Sequence, residues 1–250
     1  MALWVQALLW GMLAGGALVF GAALGYLMNL PQRVIAGVMA FGSGVLIAAL
    51  SLELMEEAFA MGGFNATLLG FVSGALAFTF ANVALSSRGA THRKRSGELQ
   101  PKEADNKGSG MAIAMGSLLD GIPESLIIGI SMIGGGQVSI VTVVAVALSN
   151  IPEGLSSAAG MKNSGRSAKY VFGLWTAIAA VVSVSSLIGY TVFSRFPPEV
   201  IAGTNAFAAG AVLAMVADTM IPEAYEIAHN FSGFITVLGF MVAFVLGKLD

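Results

Sequence analysis

The tripeptide Ile-Pro-Glu occurs three times in the chain, at Ile122-Pro123-Glu124, Ile151-Pro152-Glu153 and Ile221-Pro222-Glu223, each inside an apolar run with no basic residue beside it. A carboxylate at the bilayer centre costs about 3 kcal/mol on insertion scales, so intramembrane acids usually face a water-filled or ion-binding interior. Each proline also removes a helical N–H bond and frees the carbonyl four residues earlier, here those of Leu119, Leu148 and Asp218. Asp120 and Glu124 are four residues apart and Asn150 and Glu153 three apart, so each pair lies on one helical face. Both pairs fall about 15 to 18 Å into their helices, near mid-bilayer. Facing one another, three carboxylates, a carboxamide and the freed carbonyls would supply the roughly four to six oxygen ligands that a first-row divalent cation takes. Ser149 is a further candidate ligand. Ser117 and Ser125 are expected to bond to nearby helix carbonyls, a common fate of serine in lipid.

The elements that position these groups follow from composition. The chain is 56% hydrophobic and only 10% charged, against roughly one quarter charged in a soluble domain, which makes it an integral membrane protein. It has no cysteine, so disulfides and thiolate metal sites are excluded, and its two histidines, His92 in a charged loop and His229 at a helix end, leave oxygen as the main ligand. Breaks at polar and Gly/Pro clusters give eight spans, near 3–28, 32–60, 65–86, 110–133, 138–161, 168–193, 199–227 and 231–248. The first is read as a retained span, because it lacks a basic n-region. Ten of the twelve basic residues fall in the loops after spans one, three and five. The positive-inside rule then places both termini outside, in a multi-pass protein of the cell membrane forming one transport domain over 1–250. The 87–109 segment becomes a cytoplasmic loop whose basic run Arg93-Lys94-Arg95 reads as an anchor to acidic lipid headgroups rather than a nucleic-acid site. Glu53, Glu56 and Glu57 lie near the outer end of span two, where they are either an interfacial charge cluster or an ion entrance. Asp218 and Glu223 lie in the cytoplasmic half of span seven and are candidates to line an exit.

Residues 34–59 align without a gap on 200–225, with ten of 26 positions identical, among them Gly44/Gly210 and Glu57/Glu223. These are spans two and seven, which run in opposite directions, so the repeat is inverted across the membrane plane, an arrangement common in transporters.

At these residues the chain resembles the ZIP family of zinc and iron permeases over essentially its whole length. Span five reads Ser149-Asn150-Ile151-Pro152-Glu153-Gly154, close to the family pattern with serine in its histidine place; span four reads Asp120-Gly121-Ile122-Pro123-Glu124-Ser125, with aspartate there and glycine for the usual asparagine. The resemblance implies an all-α fold of eight transmembrane helices, with spans 1–3 and 6–8 forming an inverted repeat around the span 4/5 pair. It implies metal coordination in the transport path by Asp120, Glu124, Asn150 and Glu153, and more weakly by Ser149. It also implies movement of the site-bearing spans against the repeat bundle, and the homodimer that family members often form. The run Tyr170 to Tyr190 has no acid to hold a second metal, and the cytoplasmic loop lacks the family's histidine clusters. The expected activity is transport of a divalent cation into the cytoplasm, zinc first and iron or manganese next. The metal is cargo, with no enzymatic activity and no resident cofactor. The alternatives are an intramembrane aspartyl-type enzyme using Asp120 and Asp218 and a proton-coupled transporter of a small solute.

Overall fold

The computed structural model describes residues 1–87, 109–133, 138 and 140–249. Most of the 87–109 loop, with His92, lies outside them. Among the described residues there is no strand. The helices are α1 (Leu3–Leu27), α2 (Gln32–Ala49), α3 (Met55–Leu85), α4 (Ser109–Ile130), α5 (Ile140–Asn163), α6 (Ala168–Phe193), α7 (Pro198–Met215), α8 (Ile221–Ala228) and α9 (Ser232–Leu249). Two π-helical turns, Leu50–Leu54 and Val216–Met220, join α2 to α3 and α7 to α8. Local chemistry sets most boundaries. Pro31 precedes α2, Gly165 with φ of 81° follows α5, and the Ser167 hydroxyl accepts the Tyr170 N–H at 3.3 Å to cap α6.

Five helical stretches are long and apolar enough to cross a membrane: Leu3–Leu27, Gln32–Leu85, Ile113–Ile130, Ala168–Phe193 and Pro198–Lys248. The second holds 54 residues and the last 51. A straight helix of that length would reach about 80 Å, far beyond a hydrocarbon core of about 30 Å. Each is interrupted instead. Gly63 has φ 69° and ψ −175° inside α3, and His229, at the end of α8, has φ 48° and ψ −126°. His229 lies 166 residues after Gly63, and the π-turn at Val216 lies 166 after the one at Leu50. The same offset aligns 34–59 on 200–225.

The helices pack in two groups. In one, α1 lies on α5 and α6, and α4 lies on α6, around a core that includes Leu18, Ile113, Met161 and Trp175. In the other, α3 lies on α7 and α2 on α9, with Leu50, Phe78, Val212 and Met215 in the core. The groups meet where α2 packs on α5 and α4 on α7. Contacts also fix relative direction. Gly37 lies by Ile235 and Phe41 by Gly239, so α2 and α9 run parallel. Leu18 touches Gly154 and Gly25 touches Leu155, so α1 and α5 run parallel, whereas Gly11 on Ser183 and Gly15 on Ala179 make α1 and α6 antiparallel. The tightest crossings depend on glycine. A Cβ at Gly44 would collide with the Thr236 carbonyl oxygen, and one at its repeat partner Gly210 with the Phe71 carbonyl oxygen, so no larger residue fits either crossing without separating the helices.

His229 is the one described non-glycine residue with positive φ. Such a conformation costs an L-residue about 1 kcal/mol or more relative to glycine. His229→Gly should therefore raise the melting temperature of the purified protein by a few degrees, and Gly63→Ala should lower it by a similar amount, as measured by thermal unfolding in detergent.

Candidate functional site

Asp120, Glu124, Ser149, Asn150 and Glu153 are all buried, none more than 3% exposed. Asp120 and Asn150 occupy the middles of α4 and α5, and both helices continue through their internal prolines, Pro123 and Pro152. The Pro152 stretch of α5 is held against α2. A Cβ at Gly42 would stand 3.2 Å from Pro152 Cγ and 3.4 Å from the Leu148 carbonyl oxygen, the acceptor that Pro152 releases. An alanine there would require the Pro152 ring to give by a few tenths of an ångström.

Asn150 is the best-defined member of the group. Its Nδ2 donates to the Ala14 carbonyl oxygen of α1 at 2.9 Å, whereas its buried Oδ1 has no hydrogen-bond partner among the described residues. The α1 contact therefore assigns the two ends of the carboxamide and leaves an oriented oxygen for a ligand. Ser149 Oγ donates to Val146 O at 2.9 Å, which uses its proton on its own helix and leaves its lone pairs. Ser125 departs from expectation, since its buried Oγ bonds to no helix carbonyl. Proline two residues earlier alters the local carbonyl ladder, and the hydroxyl becomes a second unmatched oxygen-bearing group within one residue of Glu124.

The pairs remain on separate helices. Direct contact between α4 and α5 is slight, and they are brought together chiefly through α1 and α6, while α5 also faces α2 and α4 faces α7. Among the described residues, no three of the His, Asp and Glu side chains gather at metal-ligand spacing in this conformation. Carboxylates and an oriented carboxamide oxygen on facing helical stretches can bind a hard or borderline cation once the helices close on it.

The flanking acids divide by exposure. Glu56 is exposed and Glu57 half-buried in the first turn of α3. Glu53, in the first π-turn, accepts a hydrogen bond from Thr142 Oγ1 of α5 at 3.2 Å. A cavity of about 190 Å³ beside it is lined by Leu52, Glu53, Glu56, Phe244 and Lys248. Asp218 is exposed in the second π-turn and Glu223 half-buried in α8. Two further buried polar residues are not singled out by the sequence reading. Thr142 is buried and bonds across to Glu53, and Asn205 of α7 is buried with Oδ1 unpartnered. A lone amide in the Ala-rich run of α7 could have been marked from composition, but nothing local points Thr142 at Glu53.

No protein-family model matches the chain, and no curated protein matches it.

Asn150→Asp removes the donor to Ala14 and sets a carboxylate against a carbonyl, whereas Asn150→Ala removes only the bond. The aspartate variant should lose about 1 to 3 kcal/mol of stability at neutral pH, more than the alanine variant, in paired thermal melts. Its deficit relative to wild type should shrink as pH falls, because the protonated carboxyl can donate again.

Proposed function

We propose that the chain crosses the membrane eight times and carries a divalent metal cation into the cytoplasm, in the manner of the ZIP permeases it resembles. The observation that carries this reading is the burial of Asp120, Glu124 and Glu153 on α4 and α5, together with an Asn150 Oδ1 that the α1 contact orients and that has no partner among the described residues. Helix α4 holds no lysine or arginine, and α5 none before Lys162, so neither site helix brings a fixed cation to these acids. Bound metal or protons are the natural counter-charge. Oxygen ligands without imidazole suit zinc, iron or manganese.

The eight-span count draws support from the interruptions at Gly63 and His229 and from α5, which is long enough to span and whose polar site residues lower its hydropathy below that of the other long helices. The inverted repeat draws support from contact order. Exchanging α1 with α6, α2 with α7, α3 with α9 and α4 with α5 turns the α1/α5 packing into α6/α4, α2/α9 into α7/α3, and α2/α5 into α7/α4. The π-turns and the Gly63 and His229 breaks fall on corresponding positions of the same scheme. In this reading both termini lie outside, Glu53, Glu56 and Glu57 line the entrance, and Asp218 and Glu223 the exit. The α1/α4/α5/α6 group moves against the other to expose the site to each side in turn.

Proteoliposomes loaded with a metal-sensitive dye test the proposal. Wild type should admit Zn²⁺, with Mn²⁺, Fe²⁺ and Cd²⁺ ranking its selectivity, and Asp120→Ala/Glu153→Ala should admit none at equal reconstitution. Absence of uptake of every metal by wild type, or uptake unchanged in the double variant, would contradict it.

A further inference from the structure

We propose that Thr142 and Glu53 form a latch that holds the two helix groups together at one mouth of the path, and that an arriving divalent cation releases it by taking the Glu53 carboxylate. This inference rests on the transport reading for its cargo. Its geometry stands independently. Thr142 lies in the first turn of α5, where no carbonyl of its own helix is available four residues back, and its hydroxyl donates across the group boundary to Glu53 Oε2. The carboxylate also sits at the N-terminal end of α5, where the helix dipole favours a negative charge. A neutral hydroxyl holds a carboxylate less strongly than a divalent charge does, so a cation can displace this 3.2 Å bond.

What the latch closes is an apolar seam. Between Thr142 and the candidate site, Ala145 and Leu148 of α5 pack with Val45, Ala48 and Ala49 of α2 and with Ala243 of α9. No polar group of these side chains offers a cation a foothold, so the seam must part before an ion travels the roughly 12 Å along α5 from Thr142 to Asn150. Glu53 also lines the 190 Å³ cavity with Glu56, and this places a cation-attracting carboxylate on the open side of the seam. Lys248 lines the same cavity and offsets part of the negative charge of the two glutamates. Thr142 is thus a positioning residue, acting on access rather than on the metal.

The chain has no cysteine, so a single reporter is unambiguous. Ala145→Cys, in nanodiscs that leave both faces accessible, is reacted with a charged thiol reagent, alone and with Thr142→Val, Thr142→Ser or Glu53→Gln. Thr142→Val should raise the labelling rate about five-fold or more, the shift expected for losing one hydrogen bond in a two-state equilibrium. Thr142→Ser keeps the hydroxyl and should label at the parent rate, whereas Glu53→Gln keeps an acceptor oxygen but loses the charge, so it should label at a rate between those of the parent and Thr142→Val. Zn²⁺ should accelerate the parent and leave Thr142→Val unchanged. Equal rates for parent and Thr142→Val, or a serine variant as fast as valine, overturn the latch, and a parent rate indifferent to Zn²⁺ overturns its release by cation. Failure of wild-type liposome uptake would instead remove the transport reading, while the valine and serine comparison would still decide the latch.

Discussion

A carboxylate withdrawn from water must meet a compensating charge, a proton or a set of hydrogen-bond donors, and most of this structure can be understood as the consequence of burying Asp120, Glu124 and Glu153 within two apolar helices. The residues around them are small or hydroxylated, with Ser125, Ser149, Ser156 and Ser157 on the same two helices. Prolines in both helices withdraw N–H groups and release carbonyls, which enriches the neighbourhood in oxygen at the cost of regular hydrogen bonding. Holding these helices in place then falls chiefly to α1 on α5 and α6 on α4, which approach at glycines so closely that backbone meets backbone. Asn150 shows the principle on a single side chain. One end is tied to α1, and the other remains oriented and unmatched.

The second organising feature is repetition. Gly44 meets Thr236 and Gly210 meets Phe71 at matching positions of the aligned segments 34–59 and 200–225, and the π-turns at Leu50 and Val216 insert an extra residue at the same register of each segment. A π-turn rotates the side chains that follow relative to those before it. This lets α2 and α7 pack tightly by glycine on one side of the turn and present acids on the other. Its cost is imperfect backbone bonding, which explains why such turns are retained chiefly where function needs them. Gly63 and His229 complete the correspondence as positive-φ breaks, although only one uses the residue best suited to that conformation.

Much of this was legible in the chain. The Pro-Glu motifs and their spacing mark the buried acids, and the boundaries at Pro31, Gly165 and Pro198 follow from residues with fixed local preferences. The break between 60 and 65 could be placed from the Gly-Gly pair, but its continuation as one long helical run with a single non-helical residue could not, since a glycine signals permission rather than an angle. The π-turns have no local signature, because an inserted residue is stabilised by tertiary packing on Leu50, Leu54 and Met220 rather than by propensity. Ser125 and Thr142 were illegible for a related reason. Whether a hydroxyl bonds to its own helix or to another depends on which carbonyls remain available and on which helix lies opposite, and neither is encoded within a few residues of the site.

The central claim is that this protein binds a divalent cation through oxygen at the α4/α5 acids. The most direct measurement is X-ray absorption on the purified protein with one equivalent of Zn²⁺. The account predicts a first shell of oxygen alone, at about 2.0 to 2.2 Å, lost in a protein lacking the Asp120 and Glu153 carboxylates. A shell containing nitrogen or sulfur, or one that survives removal of those carboxylates, would place the metal on histidine or methionine elsewhere and contradict the account.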